Sequence, residues 1–171
     1  MERVYVVEQS LTCASEPFQL KFAEEAARLL QPIRGVLPRP TGRALLLLGT
    51  CESALDPALA VLGTRWGEDL RASGRRVRYL DDPPMEPIMD VFVRVPGEHG
   101  ERVHRDLERR RGVLRFKLVE PRGWLMRAEV PMAELIQYGA DLAKMTEDRA
   151  EHWISFNRWE PIDDDDGGRA A

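Results

Sequence analysis

The 171-residue sequence is poor in the residues that carry covalent and metal chemistry. It has two cysteines, Cys13 and Cys51, far apart and in no metal-binding or redox spacing, which excludes a zinc knuckle or a CxxC redox pair. Both read as reduced thiols of a cytoplasmic protein, although sequence alone leaves a disulfide between them open. The longest apolar run, residues 44–49, suits a buried strand and is too short to span a membrane. The N-terminal MERVYVVEQS has no apolar signal core, so no membrane association is expected. No GxxxxGK[ST] phosphate loop occurs anywhere. His99, His104 and His152 are scattered, and Ser10, Ser53 and Ser73 lack a nucleophile elbow. The expectation is a protein that is not an enzyme and has no catalytic residues and no cofactor.

An excess of positive charge is lacking too. Lys and Arg number 25 against 29 Asp and Glu, a net charge of −4, so nothing draws the whole chain to nucleic acid. DNA binding is not expected, and any RNA contact must rest on a local patch. The acidic run at 163–166 lacks the spaced, anchored carboxylates that a cation site uses, so no metal site is expected there.

What is present is an ordinary globular composition, 43% hydrophobic and 32% charged, of a length that suits one large domain or two small ones. Residues 4–7 are β-branched and aromatic and predict a strand. Ser15, Glu16 and Pro17 predict a helix start, with Phe18, Phe22, Ala26, Leu29 and Leu30 along one side of a helix to residue 30. Residues 31–42 hold Pro32, Pro38 and Pro40 with Gly35 and Gly42, and predict a loop or extended connection. A buried strand over 43–48 follows. A second helix starts near Leu55 and carries Leu59, Leu62, Trp66 and Leu70, with Gly74 as its stop. Residues 76–80 predict a third strand, and Asp81-Asp82-Pro83-Pro84 marks a boundary. No internal repeat stands out.

Beyond the boundary the periods are cleaner. Met89, Val91, Val93 and Val95 share one face of a strand. Residues 98–111 predict a helix with a thin stripe from Val103 and Leu107, stopped at Gly112. Leu114, Phe116 and Leu118 predict a half-buried strand, residues 120–123 (EPRG) a turn, and Trp124, Met126, Ala128 and Val130 the return strand. A helix from Pro131 carries Leu135, Ile136, Leu142 and Met145, and residues 153–159 form a last strand. The order βαββαβ is that of a ferredoxin-like sandwich. The fold class is α+β: a C-terminal ferredoxin-like βαββαβ sandwich over residues 83–162, preceded by a small α/β domain over residues 1–82. Residues 163–171 read as an acidic flexible tail.

The wording on this frame resembles one family. Glu86-Pro87-Ile88-Met89 entering a valine strand, Asp106-Leu107 followed by Arg109-Arg110-Arg111-Gly112, the turn Glu120-Pro121-Arg122-Gly123, and Arg127-Ala128-Glu129-Val130-Pro131 are similar to the last domain of translation elongation factor G. Glu134, Tyr138, Asp141-Leu142 and Thr146 keep the family's order. Residues 1–82 read either as a reduced form of the family's preceding domain, domain IV, or as an unrelated α/β module. The resemblance implies a ribosome-binding or translation-GTPase-binding accessory protein without a GTPase domain. After its second helix the family carries a glycine- and arginine-bearing loop. Here that segment is Thr146-Glu147-Asp148-Arg149-Ala150, with Arg149 in place, the glycines gone and acids beside it. Negative charge facing RNA phosphates is unfavourable, so the alternative is a protein-interaction module outside translation that has lost RNA contact.

The candidate RNA, ribosome or partner contacts are Arg109, Arg110, Arg111 and Arg149. The opposing reading is a solvated helix face laced by Glu98, Glu101, Asp106 and Glu108 at pairing distances. Trp124, Trp153 and Trp159 suggest an aromatic platform for bases, weighed against core or interface packing, which their strand spacing favours.

Overall fold

The structure, a computed structural model, describes residues 3–162; the acidic tail lies outside the described residues. Strand β1 (Val7–Cys13) is followed by helix α1 (Gln19–Leu30), β2 (Val36–Pro40), β3 (Leu45–Gly49), α2 (Leu55–Trp66) and the short strands β4 (Leu70–Ala72) and β5 (Arg76–Val77). Then come β6 (Leu80–Asp81), β7 (Pro84–Val95), α3 (Gly97–Arg109), β8 (Val113–Glu120), β9 (Gly123–Pro131), α4 (Tyr138–Thr146) and β10 (Glu151–Pro161). Two antiparallel sheets result. The first has the order β2-β3-β1-β4 with β5 also on β1, and the second β8-β9-β7-β10 with β6 also on β7.

Each sheet thus has the spatial order second, third, first, fourth, with helices after its first and third strands. The chain is two units of the same ferredoxin-like topology, and the first sheet is antiparallel like the second. The sheets part between β5 and β6, with Leu80 and Asp81 already pairing onto β7. One direct link between the units is the backbone N–H of Gln137, which donates to Glu52 Oε2 at 2.7 Å.

Several elements of the first unit depart from the sequence reading, each for a local reason. The first strand begins where residues 4–7 were expected to end. Val7, Leu11 and Cys13 point inward at period two, but Gln9 takes an inward position among them and disguises the alternation; its amide donates to the Ser73 carbonyl at 2.7 Å. The proline-rich stretch after α1 is not a loop. It forms the edge strand β2, in which Pro38 pairs with Leu47 and Pro40 with Leu45, because an edge strand has one side where a missing N–H costs nothing. Ser15 does not cap α1, whose start has no side-chain cap; the Gln19 amide instead donates to the carbonyls of Cys13 (2.8 Å) and Glu16 (2.6 Å). Helix α2 stops at Gly67, at φ 52°, rather than at Gly74, which frees Leu70 for β4. The expected strand over 76–80 is split between the two sheets.

In the second unit Met89, Val91, Val93 and Val95 are buried against Val103 and Leu107 of α3 and against Tyr138 and Leu142 of α4. Each such side chain contributes about 1.5–3 kcal/mol relative to exposure. The helix expected from Pro131 breaks in two. A short 3-10 turn (Met132–Leu135) buries Met132 and Leu135, Gln137 turns back at φ 64°, and α4 begins only at Tyr138. Strand β8 is largely exposed rather than half-buried, since it lies at the sheet edge and is bulged between Leu114 and Phe116.

The end of α3 shows why Gly112 is a glycine. Gly112 N–H donates to the Leu107 carbonyl (2.9 Å) and Arg111 N–H to that of Glu108 (3.2 Å), a Schellman closure. The left-handed residue is Arg111, at φ 59°. A Cβ on Gly112 would lie 2.4 Å from the Leu107 carbonyl oxygen, so its need is one of space. Gly100 lets α3 lie on Trp124, where a Cβ would sit 2.3 Å from the indole. Gly100→Ala should therefore cost about 1–3 kcal/mol, read as a lower urea midpoint at constant slope; an unchanged midpoint would show that the indole moves aside freely.

Candidate interaction surface

The four candidate arginines differ sharply in what they touch. Arg110 is spent inside the fold, with its side chain 16% exposed. Its Nε donates to Asp106 Oδ2 at 2.7 Å, one terminal nitrogen to the Glu134 carbonyl at 2.7 Å, and the other to Asp141 Oδ2 at 2.8 Å. Its plane lies 5.0 Å from the Tyr138 ring centroid. Burial works against its charge, but the hydrogen bonds to Asp106 and Asp141 more than offset this and hold the guanidinium above its ordinary range. Arg111 leaves the helix in the left-handed region and pairs with the buried Glu86 at 2.7 Å. Arg109 is exposed and makes no side-chain ion pair or hydrogen bond among the described residues.

Arg149 bonds Glu98, meets His99 Nε2 at 2.7 Å and lies 3.6 Å from Glu147. Its segment adopts a backbone suited to glycine at two residues that are not glycine: Glu147 and Asp148 have φ of 54° and 59°. Asp148 N–H donates to the Ala143 carbonyl at 2.9 Å, closing α4. In both residues Cβ approaches the following carbonyl oxygen; Asp tolerates the region better than Glu because its short side chain can hydrogen-bond locally.

The sheet of the second unit has a helix face and a bare face. Because Met89, Val91 and Val93 face the helices, their alternates Asp90, Phe92 and Arg94 face away. The register carries this across all four strands: Trp153 pairs with Phe92, Phe92 with Arg127, and Arg127 with Phe116. Leu118, opposite Leu125, and Val113, opposite Glu129, share the bare face. Val113 is 50% exposed, Phe116 47%, Leu118 41%, Trp153 53% and Phe92 37%. The three tryptophans do not form one platform. Trp124 lies under Gly100 on the helix side, and Trp159 packs on Phe156 at 5.5 Å, half-buried. Phe92 lies beside Trp153, and Phe116 shares their rung beyond Arg127. The missing signal was register: three aromatics on three strands fall on one rung, with Arg127 between Phe92 and Phe116, only once the pairing is known.

At one end this face narrows into a cleft of about 180 Å³ lined by Glu86, Arg111, Arg115, Glu129, Arg158 and Glu160, among others. Glu129 is its hub, accepting from Arg115 at 2.7 Å and lying 3.0 Å from Arg158. The Arg115 hydrogen bond holds Glu129 below the ordinary carboxylate range, against the opposing effect of burial. On the helix side His152 packs edge-on against Tyr138 at 5.8 Å, and burial pushes it below its ordinary range. Burial also pushes the Tyr138 phenol well up; its hydroxyl has no hydrogen-bond partner among the described residues. Among those residues no group of three His, Cys, Asp or Glu could hold a metal ion, and no helix is long and apolar enough to cross a membrane.

A βαββαβ unit of this strand order is a ferredoxin-like domain. The chain matches, through residues 84–168, the model of the family described as elongation factor G C-terminus. It is 38% identical over 78 residues to elongation factor G of Granulibacter bethesdensis and, equally, to that of Amoebophilus asiaticus. Identity to the Gluconobacter oxydans factor is 35% over 78 residues. Each match covers 46% of this chain and 11% of the relative, so the chain spans about a tenth of the length of these curated relatives.

Three outcomes are expected. Arg110→Ala should cost about 2–4 kcal/mol, because it strands Asp106 and the Glu134 carbonyl in a partly buried site, while Arg109→Ala should stay within about 0.5 kcal/mol; chemical denaturation measures both. Glu147→Gly should raise stability by about 1 kcal/mol, by relieving the left-handed backbone, and a loss instead would show that the Arg149 contact outweighs it. For His152 the folded value lies below the unfolded one, so the unfolded chain takes up the proton first. Stability is then full above the unfolded value, near 6.5, and falls as pH drops toward the folded value. His152→Phe should flatten that slope between pH 7 and 5.

Proposed function

We propose that this chain is a cytoplasmic, non-catalytic, elongation-factor-G-like accessory factor that binds the ribosome or a translation GTPase. The observation that carries the reading is the match of residues 84–168 to the elongation factor G C-terminus, on a unit whose strands and helices are all present. Nothing in the 171 residues supplies a phosphate loop, so the activity rests on binding. Of the sequence's candidates, Arg109 is the one whose charge is available to an RNA or protein partner without breaking a contact inside the described residues.

A second reading, a protein-interaction module outside translation, draws support from Arg111 and Arg149, whose charges are answered by Glu86 and by Glu98 with Glu147. Arginines already matched by carboxylates gain little from phosphates. Co-sedimentation with purified bacterial ribosomes and subunits separates the two. Enrichment with ribosomes or a subunit is the expected outcome. A pull-down returning non-ribosomal partners alone, with no sedimentation, would establish the second reading instead.

A further inference from the structure

The bare sheet face offers a more specific contact than the arginines do. Five of the exposed large hydrophobic side chains of the second unit, Phe92, Val113, Phe116, Leu118 and Trp153, gather there, while the opposite face is packed under α3 and α4. The rung Trp153–Phe92–Arg127–Phe116 crosses four strands, a row about 14 Å long at the ordinary strand spacing. Apolar groups gathered on one face of an otherwise charged domain mark a contact surface.

The charge on this face decides what kind of partner it fits. Arg127 is paired with Asp90 at 2.9 Å, Arg115 with Glu129 at 2.7 Å, Arg158 with Glu160 at 2.8 Å, and Arg94 with Glu151 at 3.7 Å. Each arginine is answered by a carboxylate on the same face, so a phosphate backbone would meet as much repulsion as attraction. A nucleic-acid platform of this fold combines stacking aromatics with surplus positive charge, and the surplus is missing. What matches an aromatic row set among internally neutralised charges is a weakly charged apolar protein surface. At the β8 edge the bulge between Leu114 and Phe116 and the cations Arg115 and Lys117 obstruct strand addition, which leaves the face as the contact on that side.

We infer that the bare face around Trp153, Phe92 and Phe116 docks an apolar protein surface of the ribosome, and not ribosomal RNA. This rests on the ribosome-binding reading above and names the class of component bound. The experiment measures binding of the full chain to purified bacterial ribosomes, and separately to their protein-free RNA, across a salt series. Trp153→Ala/Phe116→Ala should weaken ribosome binding at least tenfold, as should Val113→Ser/Leu118→Ser. Urea unfolding of each variant confirms that it is folded. Affinity should change little between 50 and 200 mM salt, whereas several phosphate contacts would cost about a thousandfold or more.

Undiminished ribosome binding by both double variants would overturn this inference and leave the ribosome reading standing. So would tight, steeply salt-dependent binding to the protein-free RNA. A wild-type chain that does not sediment with ribosomes would overturn both.

Discussion

The guanidinium of Arg110 is the contact on which the second unit is hung. It joins the last turn of α3, through Asp106, to the 3-10 turn, through the Glu134 carbonyl, and to α4, through Asp141, while its face lies on Tyr138. Those three pieces form the layer that covers the inner face of the sheet. A rigid planar fork suits the task, since its donors diverge at fixed angles and set the pieces at fixed separations. A lysine at this position would supply the charge without the angles. The interaction also explains why the turn before α4 can break at Gln137: both sides of the break are tied to the same side chain.

The surface follows a related economy. Arginines are frequent in this half of the chain, and a count of them suggests attraction to phosphates. In three dimensions they are matched to carboxylates across strands and between helices: Arg111 to Glu86, Arg115 to Glu129, Arg127 to Asp90, Arg149 to Glu98. Exposed pairs of this kind contribute little to stability individually. Collectively they cancel the long-range field of the domain, and specificity passes to the apolar side chains between them.

The second unit was largely legible because its periods are clean. Alternating valines, a glycine-stopped helix and a two-residue hairpin turn are local signals, and the family wording on them is confirmed by the match over residues 84–168. The first unit hid its strands where local chemistry opposes the usual rule: an inward glutamine in β1 satisfied by a distant carbonyl, and an edge strand built with two prolines. The shared topology of the two units was not legible at all, because strand order is set by pairings between distant residues. Among the candidate arginines, helical spacing put Arg109, Arg110 and Arg111 together, yet the Schellman closure sends them three ways: outward, into the core layer and toward the cleft. Trp153 was among the aromatic candidates, but only register places Phe92 and Phe116 on the same rung of the bare face.

The repetition of one strand order in adjacent units bears on how the chain folds. Tandem domains of like topology are prone to exchanging equivalent strands, and such interdomain misassembly is a characteristic failure of multidomain chains. Here the equivalent strands are poor substitutes for one another. The first strand of one unit is short and mixes a buried glutamine among its apolar positions, whereas its counterpart runs for 12 residues with four buried aliphatic positions on one face. An edge strand carrying Pro38 and Pro40 faces an edge strand carrying none. Unlike sequences under one order of strands thus make each half of the chain a poor complement to the other's sheet.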